Sequence, residues 1–151
     1  MTAILFPGQG SQYIGMSEDF YKNFFNSKLV FEEVEDSTSI DVKKIIFSDP
    51  LNQLNLTNYT QLCVFTASYS IFRVIETEFD LKKMNVNTML GHSLGEYSAL
   101  ASSNKITLSD CAKLLKLRGN LMHRAINPNE SGMAALIGLD SISIQNIINE
   151  V

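Results

Sequence analysis

Two cysteines and two histidines are all that this 151-residue chain offers to thiol or imidazole chemistry. Cys63 and Cys111 stand far apart with no CxxC spacing, so they read as small buried apolar residues rather than a metal or redox pair. No group of His, Asp and Glu shows ligand spacing, and no metal is expected. Basic charge is scarce too: 12 Lys and Arg against 16 Asp and Glu leave a net charge of −4. No basic segment stands out that would follow nucleic acid or an anionic membrane surface, so neither is expected as a partner. Charges interrupt every apolar run well short of a membrane span, and the opening MTAILFPGQG lacks the basic region of a signal peptide. A cytoplasmic location is the default expectation. Neither an internal repeat nor a low-complexity linker divides the chain. What is present, 45% hydrophobic and 19% charged residues, describes a globular chain of about one domain's length.

The order of patterns along the chain alternates strand with helix. Thr2 to Phe6 is a short apolar strand stopped by Pro7-Gly8, and PGQGSQ after it reads as loop. Helical periodicity follows over Glu18 to Phe25, Lys28 to Asp36, Val42 to Phe47 and Tyr59 to Phe79, the last entered at Thr57 or Asn58. Val86 to Leu90 is the next strand. Helices come after it over Leu94 to Ser102 and over Leu108 to Ala125, with Thr107 or Ser109 as cap. Gly132 to Leu139 reads as a third strand, and SISIQNIINEV opens another helix. Strands that are apolar runs rather than strict alternations, separated by helices, predict an α/β fold with a parallel sheet.

The junction of the second strand with its helix carries Gly91-His92-Ser93-Leu94-Gly95. A G-x-S-x-G turn between strand and helix leaves its serine hydroxyl exposed at the strand's carboxyl end. Leu94 N–H, at the helix start, is the natural donor to an oxyanion formed there. A second donor is available in FPGQGSQ, where Gly8 and Gly10 let the backbone at Gln9 approach a ligand closely. That loop has no G-x-G-x-x-G continuation, which argues against a dinucleotide site. The plain alternative for Ser93 is a glycine-rich turn that needs only positive φ.

Within LSDCAKLLKLRGNLMHRAI, Cys111, Leu114, Leu115, Leu121, Met122 and Ala125 form an apolar stripe that Arg118 interrupts. An always-charged guanidinium on such a face needs an anionic partner. That partner is either an internal carboxylate, with the side chain reaching the rim, or a carboxylate on a substrate held by two parallel hydrogen bonds. A serine nucleophile also needs a base. His92 adjoins Ser93 on a turn that sends neighbouring side chains apart, and His123 lies five residues beyond Arg118, about 140° around the helix. Neither fits, so Ser93 is inert or its base lies outside these residues.

LFPGQGSQYIGM, TQLCVFTAS, GHSLGEYSAL, LLKLRGNLM and SGMAALIGL occur in the order and spacing of the malonyl-CoA:acyl carrier protein transacylase family, which this chain resembles along its whole length. The resemblance covers about the first half of the family's usual length and implies a truncated chain. It implies a hydrolase-like parallel sheet with flanking helices over residues 1–126, and the beginning of an inserted ferredoxin-like subdomain over 127–151. By the same resemblance Ser93 is the acylated nucleophile, the Gln9 and Leu94 amides form the oxyanion hole, and Arg118 holds the malonyl carboxylate. Gln61 matches a glutamine near the substrate pocket. Leu62 departs from the proline of many members, and the family's catalytic histidine lies beyond Val151.

The activity implied is [acyl-carrier-protein] S-malonyltransferase, a ping-pong acyl transfer in fatty acid biosynthesis. Ser93 takes the malonyl group from malonyl-CoA and passes it to the phosphopantetheine thiol of acyl carrier protein. No cofactor is implied, because the CoA thioester is a substrate. Three alternatives share the turn: a serine thioesterase or esterase of the α/β-hydrolase type, an acyltransferase domain of a polyketide synthase, and an inactive half-chain.

Overall fold

Residues 2–125 and 136–150 are described by a computed structural model of the chain. The element order is β1 (Thr2–Phe6), α1 (Glu18–Asn23), α2 (Phe25–Thr38), α3 (Val42–Phe47), α4 (Thr57–Glu78), β2 (Val86–Gly91), α5 (Leu94–Ser102), α6 (Leu108–Ala125) and α7 (Ser141–Glu150). β1 and β2 pair in parallel, Ile4 against Met89, Leu5 against Leu90 and Phe6 against Gly91. The α/β architecture with a parallel sheet is therefore present. Among the described residues the sheet has two strands. The strand expected over Gly132 to Leu139 falls mainly outside the described residues, and its described end, 136–139, is not a strand.

Helix α4 is the centre around which α1, α2, α3, α5 and α6 are laid. Thr60 to Ala67 are buried without interruption along it, because α2, α3, α5 and α6 all pack against it. A helix surrounded on all sides needs apolar residues all round, which TQLCVFTAS supplies. Its polar members are satisfied locally: Thr60 and Thr66 hydroxyls donate to the Leu56 and Leu62 carbonyls at 3.0 and 2.8 Å. Phe31, Phe65, Ile46, Leu62, Leu94 and Leu115 fill the core with almost no exposure.

The apolar strand runs of the parallel pair are covered on one face by the described residues. Ile4, Phe6 and Met89 face the core, while the cross-strand neighbours Leu5 and Leu90 stay 72% and 52% exposed. The physical reason is that α4 and α5 pack on a single side of the pair. Helix entries differ as well. α4 begins at Thr57 with Leu56 as its cap residue and no side-chain capping bond, whereas Thr107 does cap α6, its hydroxyl accepting from Asp110 N–H at 3.1 Å.

Candidate active site

At Ser93 the backbone takes φ 54°, ψ −107°, a conformation in which a residue with a Cβ is strained. The plain alternative placed the positive φ on the glycines; the structure places it on the serine. The glycines serve a different need, which is space. A methyl group on Gly91 would overlap the backbone of Gly95 and Glu96, and one on Gly95 would overlap the carbonyls of Phe6 and Pro7. β1, β2 and the start of α5 can approach this closely only with bare Cα atoms. The resulting turn leaves Ser93 exposed at the carboxyl end of β2, with Leu94 buried beneath it.

The loop after β1 lies against the same turn. A methyl on Gly8 would come within 2.6 Å of His92 Nδ1 and 2.7 Å of the His92 carbonyl oxygen, so Gly8 brings the chain alongside the Ser93 elbow. The loop is braced from within and from α4: the Ser11 hydroxyl donates to the Gly8 carbonyl at 2.8 Å, Gly10 N–H to Gln12 Oε1 at 2.8 Å, and Gln9 Nε2 to Thr57 Oγ1 at 3.2 Å. Two backbone amides on this rim, those of Gln9 and Leu94, have no hydrogen-bond acceptor among the described residues.

Arg118 reaches the elbow from α6. Its Nη2 donates to Ser93 Oγ at 3.0 Å and its Nη1 to Gln61 Oε1, while Cζ lies 5.6 Å from the centroid of the Tyr97 ring. Gln61 is fully buried, and its Nε2 donates to Met122 Sδ at 3.1 Å. No carboxylate pairs with Arg118 among the described residues. Among the described residues the internal ion pair weighed from the sequence is absent, and the groups that hold this guanidinium are neutral.

The stripe that first singled out Arg118 needs correcting. The buried residues of α6 are Leu108, Cys111, Ala112, Leu115 and Gly119; Leu114, Leu121 and Met122 are 45%, 59% and 41% exposed, and Ala125 is exposed. The buried face is offset by one residue from the apolar one. Arg118 stands beside Gly119 at its edge, half-buried. Gly119 itself escaped the sequence reading. A methyl there would lie 2.9 Å from the Thr57 carbonyl, so its absence lets α6 close on the start of α4, where Gln61 waits. A glycine inside a helical pattern was the available signal. Tyr97 carried no comparable signal, because Ser93 precedes α5 in a non-helical conformation and the two share no helix face.

Among the described residues neither imidazole is hydrogen-bonded to Ser93, whose hydroxyl is engaged by Arg118. His92 turns its ring toward Gly8, and His123 is exposed on the last turn of α6. Both thiols are far from reactive: burial pushes Cys63 upward, and carries Cys111 up to about 12. No group of three His, Cys, Asp or Glu among the described residues could hold a metal ion, and no described helix is long and apolar enough to cross a membrane.

A family described as "Acyl transferase domain" matches residues 4–149. The malonyl CoA-acyl carrier protein transacylase of Haemophilus influenzae is 39% identical over 144 residues, which are 95% of this chain and 46% of that protein. One from Bacillus subtilis is 37% identical over 150 residues, 99% of this chain and 36% of its own length. Among solved structures, the acyl-carrier-protein-S-malonyltransferase of Bartonella henselae superposes with TM-score 0.89 at 42% identity, covering 99% of this chain and 48% of that one. A malonyl-transacylase solved in complex with its type II PKS acyl-carrier protein superposes with TM-score 0.83 at 36% identity, over 99% of this chain and 47% of that chain. The chain spans about half the length, or less, of these relatives.

Proposed function

This chain belongs to the acyl transferase domain family, and we propose that it carries the nucleophile, oxyanion and acyl-binding parts of a malonyltransferase. The reaction moves a malonyl group from CoA to the phosphopantetheine thiol of acyl carrier protein, in fatty acid biosynthesis. One observation carries the reading: a guanidinium without a carboxylate partner among the described residues donates to the hydroxyl of a strained elbow serine. A cation so placed is suited to an acyl group that brings its own carboxylate, gripped beside the reacting carbonyl.

Ser93 Oγ attacks the thioester carbonyl of malonyl-CoA, and the carbonyl oxygen becomes an oxyanion facing the amides of Gln9 and Leu94. Collapse of the tetrahedral intermediate breaks the C–S bond, CoA departs as the thiol, and a malonyl-serine ester remains. The carrier thiol then attacks that ester and Ser93 regains its proton. The base that takes the proton from Ser93, and from the incoming thiol, is neither His92 nor His123. No cofactor enters this scheme, the CoA thioester being a substrate. The partners are malonyl-CoA and acyl carrier protein, an assignment favoured by the carrier-bound relative, and the setting is cytoplasmic. Residues 1–126 are assigned to the α/β domain and 127–151 to the beginning of a ferredoxin-like subdomain, of which α7 would be the first helix.

The test is to expose the enzyme containing this chain to malonyl-CoA and map the adduct by mass spectrometry. A malonyl ester on Ser93 that acyl carrier protein discharges, and that Ser93→Ala abolishes, is the expected result. Release of free malonate at the same rate without carrier would make the protein a hydrolase instead.

A further inference from the structure

Ser93 precedes α5 in a non-helical conformation and Tyr97 follows in the first turn of that helix. Arg118 touches both, with Nη2 bonded to Ser93 Oγ at 3.0 Å and Cζ 5.6 Å from the centroid of the Tyr97 ring. From the other side α4 contributes Gln61, which accepts from Nη1. The ring has its own anchor. Tyr97 is half-buried and packs on the core, and its carbonyl oxygen accepts from Cys111 Sγ at 3.6 Å, tying α5 to the helix that bears Arg118.

We propose that Tyr97 is a positioning residue that fixes the plane of the Arg118 guanidinium and thereby sets the preference for acyl groups ending in a carboxylate. The inference rests on the reading that Arg118 receives the malonyl carboxylate. Two parallel N–H bonds to a carboxylate require the two groups to be coplanar, so the tilt of the guanidinium matters as much as its location. Bonds to Gln61 and Ser93 pin the group at two points and leave it free to rock about the line between them. A ring face against the guanidinium removes that rotation. All three neighbours are neutral, so the fixation costs none of the cation's attraction for an anion. The guanidinium has five N–H groups, of which Gln61 and Ser93 occupy two, leaving donors for an incoming carboxylate.

Two readouts test this in the enzyme containing this chain. The first is ¹⁵N relaxation at the Nε–H bond of Arg118, assigned by its loss in Arg118→Ala. Rocking about the line between Nη1 and Nη2 swings that bond, so a guanidinium held in plane keeps a high Nε–H order parameter; Tyr97→Leu is expected to lower it and Tyr97→Phe, which keeps the ring, to preserve it. The second is the ratio of malonyl to acetyl transfer from the two CoA thioesters. Tyr97→Leu should lower it roughly twofold to thirtyfold, the range of a cation–π contact, and Tyr97→Phe should restore it. In an Arg118→Ala background Tyr97→Leu should leave the ratio where it is, since the group it positions is gone. An unchanged Nε–H order parameter in Tyr97→Leu, or equal losses for malonyl and acetyl, would overturn the proposal. An unaltered enzyme that transfers no malonyl at all would instead overturn the functional reading above, and the Nε–H order parameter would then decide the role of Tyr97.

Discussion

Arg118 is held among the described residues by a glutamine and a serine, both neutral, and under the proposed function its charge beside Ser93 would select the acyl group. Arg118→Ala should cost malonyl transfer about 2 kcal/mol or more, roughly thirtyfold, because a charge-assisted bidentate contact is lost. Acetyl transfer, which never made that contact, should hold or rise as the pocket becomes less polar. Rates with the two CoA thioesters check this, and equal losses would return Arg118 to a structural role. The two cysteines allow an independent residue-level test. With both thiols buried and Cys111 carried up to about 12, neither should react with a thiol reagent at pH 8 until the chain is unfolded. Raised thiol values also fix the sign of a pH effect. The unfolded chain loses these protons first, so stability is fully present below about pH 8.5 and falls as pH rises toward 12. Denaturation followed at pH 8, 9 and 10 should show the decline, less steeply in Cys111→Ala.

Elements meet at the elbow, and the elbow stores strain for a stated reason. Ser93 at φ 54°, ψ −107° occupies a region that is open to glycine, as the mirror image of extended backbone, and costs other residues about 1–3 kcal/mol. Ser93→Gly and Ser93→Ala both remove the hydroxyl and both should abolish acylation. Only the first relieves the backbone, so Ser93→Gly should be more stable than Ser93→Ala by about 1 kcal/mol, after the extra chain entropy of glycine is deducted. Equal melting temperatures would show that the turn is unstrained. Gly95→Ala should act in the opposite sense, losing about 1–3 kcal/mol as its methyl forces β1 away from α5. Much of this level was legible in the sequence. α3, α5 and α6 run where their periodicity and flanking residues put them, because a buried face imposes its period on the composition. The face of α6 was misread for a physical reason: Gly119, which meets the start of α4, and Ala112 are buried small residues that a hydrophobic pattern counts least, while Leu114, Leu121 and Met122 dominate the pattern and stay exposed. Ser93 and Arg118 were visible in one dimension through their motifs; their contact is a product of how α5 and α6 cross, which no spacing rule contains.

At the scale of the molecule, the carboxyl ends of two parallel strands form one rim, β1 bringing the Gln9 loop and β2 bringing Ser93. Ligands of open parallel sheets bind on this rim, and here it gathers the elbow serine, two amides unengaged among the described residues, and a cation. A base for Ser93 is the part the rim lacks among these residues. The chain has two histidines; the ring of His92 is spent against Gly8 and His123 is exposed at the far end of α6. General-base catalysis contributes about 10²–10⁴-fold. Ser93 acylation by these 151 residues alone should therefore be slower by that order than acylation by a polypeptide of the relatives' length. The pH profile separates the cases further. The longer polypeptide should show a rate that rises through the range where an imidazole loses its proton, while the shorter one should lack that inflection, and His92→Ala or His123→Ala should leave its slow rate unchanged. Single-turnover labelling with malonyl-CoA between pH 5 and 9 provides the measurement. Full-rate transfer by the 151 residues that is lost in His92→Ala would mean that the imidazole leaves Gly8 for Ser93 when substrate binds, and the rim would then be complete without a further base.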